Sequence, residues 1–117
     1  MPQLKDEVVR SIDELIEANV SVRERLRDAE RVLKRARKVF AQGASVAETF
    51  KVIPSAEPRQ AALMDALKSL TAARHRLRVA VIAAGIDEGM SIGELGRAFG
   101  VSRQLAARYA KEARGEG

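Results

Sequence analysis

Five long hydrogen-bond donors lie close together near the C-terminus: Arg103, Gln104, Arg108, Lys111 and Arg114, within GRAFGVSRQLAARYAKEAR at residues 96–114. At about 100° per residue they share one side of a helix with the small Ala107, while Leu105, Ala106, Tyr109 and Ala113 take the other. Guanidinium, amide and ammonium groups in a row bind anions and polar edges; they do not break bonds. An Arg can donate two hydrogen bonds to guanine and a Gln can pair with the adenine edge, which suits Arg103 and Gln104 at the start of the helix. Ser102 can reach a phosphate or a base. Arg108, Lys111 and Arg114, further along, suit phosphates and would add affinity and salt dependence.

Such an edge needs a rigid back. Ser91 and Glu94 have the spacing of a reciprocal capping box, in which each side chain satisfies a free amide at a helix start. Ile92, Leu95 and Phe99 then form the apolar side of a two-turn helix. Gly96 lets another helix approach its backbone, Gly100 can adopt the left-handed conformation that ends a helix, Val101 can plug the corner, and Ser102 can cap the next helix. Two helices joined this tightly make a helix-turn-helix.

The stretch SIGELGRAFGVSRQLAARYAKEAR resembles the helix-turn-helix of bacterial transcription regulators and of the C-terminal DNA-binding domains of resolvase-type recombinases. The resemblance rests on Gly96, the turn Gly100-Val101-Ser102, and Arg103-Gln104 opening the second helix; Gly96 departs from the alanine usual there. It implies that a preceding helix, RHRLRVAVIAAGIDEG, completes a three-helix core. It covers about the last third of the chain and includes no recombinase catalytic domain.

Helix formers dominate the remainder, aromatics are few and no alternating strand pattern persists, so the expected class is all-α: long N-terminal helices followed by a C-terminal three-helix helix-turn-helix domain. Over residues 8–40, Ile12, Asn19, Leu26, Leu33 and Phe40 recur as position a of a heptad, with Val8, Leu15, Val22, Ala29 and Ala36 at d. In a parallel coiled coil Asn19 would specify register and Arg25 could reach Glu30 of a partner. A break at Asn19-Val20, with Ser21 and Glu24 as another capping pair, is the rival reading. Val9, Ile16, Val32 and Val39 widen the apolar stripe, as in a helix that also packs within a bundle. Whether residues 8–40 pair with another copy, another protein or residues 58–86 of the same chain stays open, with dimerisation or bundle packing favoured. Ser45 and Glu48 start a short helix at 46–52, Pro54 and Pro58 bracket a connection, and a long helix spans 58–86. The division expected is 1–57, a helical dimerisation or coiled-coil region, and 58–117, the linking helix with the DNA-binding part.

With 117 residues and a net charge of +5 the chain suits one modest core and a polyanionic partner. Residues 1–22 are acidic and residues 23–38, RERLRDAERVLKRARK, are basic; the basic run is read as a solvated helix face, with a second phosphate-contacting surface as the sharper alternative. Cysteine is absent, which removes disulfides, thiol nucleophiles and Cys-containing zinc sites and suits a reducing cytosol. His75, between Arg74 and Arg76, has no ligand cluster around it and reads as a surface or phosphate-proximal residue. Asp87 and Glu88 read as a solvated turn. No enzyme, cofactor, metal site, small-molecule ligand, membrane span or signal peptide is expected. The reading is a sequence-specific binder of double-stranded DNA, a small homodimeric transcriptional regulator in the cytoplasm at the nucleoid. The alternatives are an architectural or partition-type DNA-binding protein and a helical protein-protein interaction module that binds no DNA.

Overall fold

The computed structural model describes residues 2–53 and 55–115; Pro54, one of the two prolines expected to bracket the connection, lies outside the described residues. The described residues form α1 (Pro2–Ala41), α2 (Val46–Val52), α3 (Ala56–Asp87), α4 (Ile92–Phe99) and α5 (Arg103–Ala113), with no strand among them. The all-α expectation holds.

α1 runs without a break because neither glycine nor proline occurs between Pro2 and Gly43. Asn19, Val20 and Ser21 are weak helix formers, but each costs only about 0.5 kcal/mol relative to alanine. The break at Asn19-Val20 is therefore not taken. Ser21 is helical and cannot serve as an N-cap, which requires extended backbone. Ser45 and Ser91 do cap: each has extended backbone, and its hydroxyl accepts from the amide of Glu48 or Glu94 respectively. The reciprocal half of the box, the serine N–H donating to the glutamate carboxylate, is present at Ser91 and Glu94 at 3.0 Å. At Ser45 the hydroxyl instead donates to the Glu48 carboxylate.

α1, α3 and α4 end alike. The amide after the terminal glycine returns five residues, as Ala44 to Val39, Met90 to Gly85 and Val101 to Gly96, while the glycine amide returns three.

The chain forms two compact units that divide both long helices: residues 2–17 with 71–115, and residues 18–70. In the first, the start of α1 lies antiparallel to the end of α3, with Glu14 accepting from Arg76 at 2.9 Å and Lys5 3.8 Å from Glu88. Ser11, Ala73, Ala80 and Ala84 are buried, small side chains suited to closely approaching helices. The core of this unit is Ile82 of α3, Leu95 of α4, and Ala106 and Ala110 of α5, with Ile92, Phe99, Val101 and Tyr109 packed against it. α3 thus joins α4 and α5 as expected, and α1 joins them too, which the sequence did not suggest.

In the second unit, Ala29 and Val32 of α1 meet Ala56, Arg59, Gln60 and Leu63 of α3 across a cleft of about 230 Å³, again antiparallel. Fully buried side chains are few here: Val22, Thr49 and Ala66. Thr49, in α2, donates its hydroxyl to the Ser45 carbonyl at 2.8 Å.

The heptad of α1 is used differently from the a/d seam expected. The d residues Val8, Leu15, Val22, Ala29 and Ala36 turn inward, but so do Leu4, Ser11, Ala18, Val32 and Val39 of the g column. The a residues Ile12, Leu26, Leu33 and Phe40 are exposed, at 41%, 51%, 69% and 44%. α1 carries more apolar columns than one neighbour can cover, and α3 occupies d and g. Arg25 lines the cleft with α3, where it is not placed to bridge to Glu30 of a parallel partner.

Candidate functional site

The two short helices of the first unit make a corner of three residues. Gly100 follows α4 with φ 67°, the left-handed conformation in which a side chain would strain the backbone. Its amide and that of Val101 tie back to Arg97 and Gly96 at 3.2 and 2.9 Å. Ser102 then takes extended backbone and caps α5, its hydroxyl accepting from the Leu105 amide at 3.0 Å. At the crossing, a Cβ on Gly96 would lie 3.1 Å from the Val101 carbonyl and 3.6 Å from the Ala106 Cβ. Only a residue without a side chain fits there undisturbed.

α4 is held at its start by the Ser91–Glu94 box. The Ser91 N–H and hydroxyl, with the positive charge of Arg97 adding to them, keep the Glu94 carboxyl below its ordinary range.

α5 presents its donors as the sequence predicted. Ser102, Arg103, Gln104, Arg108, Lys111 and Arg114 are all exposed. Arg114 is the residue after the helix rather than part of it, its amide closing onto Ala110. Ala107 is half-buried, so the edge includes it only in part. The inner side differs from the expected set: Ala106 and Ala110 are the buried pair, Leu105 and Tyr109 are half-buried, and Ala113 is exposed. Ala110 escaped notice because alanine gives a weak signal when residues are sorted by hydrophobicity, and Ala113 lies beyond the last turn that the core covers.

His75 departs most from its sequence reading. It is half-buried, its Nε2 lies 2.6 Å from the Glu112 carboxylate, and its ring meets that of Tyr109 edge-on at 5.2 Å between centroids. It therefore ties the second half of α5 to α3. Glu112, the only acid in α5, is engaged with His75 on the side away from the Arg and Lys row. The exposed row is consequently cationic and amide in character throughout.

Two further clefts lie in this unit, between the start of α1 and α3. One, of about 230 Å³, is lined by Leu4, Val79, Ala80 and Ala83 with Glu7, Arg76 and Glu112; the other, of about 300 Å³, by Val8, Val81, Ala84 and Leu95 with Lys5 and Glu88. Their charged residues already have ion-pair partners: Arg10 for Glu7, Glu14 for Arg76, His75 for Glu112, and Lys5 with Glu88. They read as packing clefts. Among the described residues no His, Asp and Glu cluster suited to a metal occurs, and no helix is long and apolar enough to cross a membrane.

The net charge is unevenly divided. Residues 18–70 hold eleven Lys and Arg against six Asp and Glu, whereas residues 1–17 and 71–117 hold ten of each. The cationic edge of α5 is thus a local segregation within a neutral unit. Comparison with protein-family models, with curated proteins and with solved structures finds no match for this chain.

Proposed function

We propose that this chain is a sequence-specific double-stranded DNA-binding protein, a small transcriptional regulator that reads the major groove with α5 as a homodimer at the nucleoid. The observation that carries the reading is the division of α5: Ala106 and Ala110 locked in a core with Ile82 and Leu95, its one acid engaged with His75, and a row of exposed donors opposite. A groove reader needs a fixed back, a donor-rich front and small residues at closest approach. Arg103 and Gln104 are the base readers. Ser102 has its hydroxyl oxygen committed as an acceptor in the cap, which leaves its O–H free to donate to a phosphate or a base acceptor. Arg108, Lys111 and Arg114 serve phosphates. The surplus charge of residues 18–70 adds attraction to any duplex without reading sequence.

The test is selection from sheared genomic DNA by the purified chain at about 0.15 M salt, followed by sequencing. An enriched inverted repeat is expected. Broad recovery without a motif would favour an architectural or partition-type binder, and no recovery a helical protein-interaction module. Arg103→Ala should then remove roughly 1–3 kcal/mol of discrimination at one base position, while Lys111→Ala should weaken all duplexes alike. Equal loss on every sequence for Arg103→Ala would overturn its role as a reader.

A further inference from the structure

We propose that the exposed a and e columns of α1 are the seam for a second copy of this chain, with the two α1 helices antiparallel. This specifies the dimer that the duplex reading leaves undrawn, and it stands on observations independent of α5.

The first observation is apolar area left uncovered. α3 takes the d and g columns of α1, yet Val9, Ile12, Ile16, Leu26, Leu33 and Phe40, all at a or e, are between 41% and 69% exposed. A row at heptad spacing is the pattern by which helices pair, and single exposed apolar residues would not repeat in that way.

The second observation identifies the occupant. Along the same face the charge reverses: Asp6 and Asp13 flank the row near the start of α1, whereas Arg23, Arg27, Lys34 and Arg37 flank it further on, with Glu30 among them. A parallel copy would set acid against acid and cation against cation along its length. An antiparallel copy sets the acidic end of each helix beside the basic end of the other, the complementarity that selects orientation.

The heptad also supplies a register. With Leu26 on its own counterpart, Ile12 of one copy meets Phe40 of the other, and Arg23 meets Glu30 twice by symmetry. Asp13 then falls within a turn of Arg37. These layers come from helical spacing in α1 alone, an unbroken helix from Pro2 to Ala41.

The chain has no cysteine, so single-cysteine variants of the full chain report the pairing directly, without DNA. Ile12→Cys and Phe40→Cys are mixed, oxidised and separated on a non-reducing gel, beside each variant alone and Leu26→Cys alone. The expected result is a disulfide-linked species from the mixture and from Leu26→Cys, with little from Ile12→Cys or Phe40→Cys alone. Leu33→Glu should raise the dissociation constant measured by sedimentation by on the order of 100-fold, while circular dichroism shows the helices intact. Linkage of Ile12→Cys to itself in preference to Phe40→Cys would overturn the orientation. A monomeric mass at every concentration reached would overturn the seam. Either failure leaves the binding of α5 to DNA to be judged on its own assay.

Discussion

The two units are built from the same pair of long helices and differ in how they use them. Residues 71–115, with the start of α1, enclose Ile82, Leu95, Ala106 and Ala110 almost completely and balance their charges. Residues 18–70 bury little beyond Val22, Thr49 and Ala66, leave Leu26, Leu33, Phe40, Phe50 and Met64 exposed, and hold the whole net charge. The difference lies in the number of helices meeting. Where α4 and α5 add to the long pair, side chains are covered from several directions; where α1 and α3 have only the short α2 beside them, an apolar helix keeps an open face. Rigidity is concentrated beside the donor row, and adhesive surface is concentrated elsewhere.

Substitutions can break or sharpen this contrast. Leu95→Ala removes a side chain only 1% exposed from the middle of the enclosed core, and should cost about 2–5 kcal/mol in denaturant unfolding. A cost near zero would mean that the first unit is no better packed than the second. Gly100→Ala places a side chain at φ 67° in the corner, and a loss of about 1–2 kcal/mol is expected in the same measurement. The smaller loss tests whether the corner, as well as the core, holds α5 in place.

Leu33→Ser should change the stability of dilute chain by no more than about 0.5 kcal/mol, because the side chain is 69% exposed. A loss of several kcal/mol would show that residues 18–70 enclose it after all, and the contrast would fail. The smallest effect expected is that of Glu94→Gln. The Glu94 carboxyl is depressed below its ordinary value of 4.5 in the folded chain, so its contribution is present above that value and is lost as pH falls through the depressed one. The parent should be slightly more stable than the variant at neutral pH, and their melting temperatures should converge on acidification. A gap that widens in acid would contradict the capping account of α4.

Much of the first unit could be read from residue order, because its devices are local. A capping serine and glutamate three apart, a glycine at a corner and a serine after it act through backbone groups a few residues away, so Ser91, Gly100 and Ser102 declare themselves. The exposed donors of α5 were legible for a related reason, since helical spacing alone sorts Arg103, Gln104, Arg108 and Lys111 from the alanines behind them. The contact of His75 with Glu112 was not legible, because it joins residues far apart in sequence through the packing of α3 on α5.

α1 marks the boundary between the two kinds of information. Its sequence by itself determined that residues 8–40 form one long helix with apolar residues on more than one column, since heptad spacing and the absence of glycine and proline act within the helix. It did not determine which columns face inward. That was decided by where α3 lies, because a stripe wider than one helix can cover is satisfied equally well by d with a or by d with g. Only the tertiary structure chose d with g, and in choosing left Ile12, Leu26, Leu33 and Phe40 facing outward.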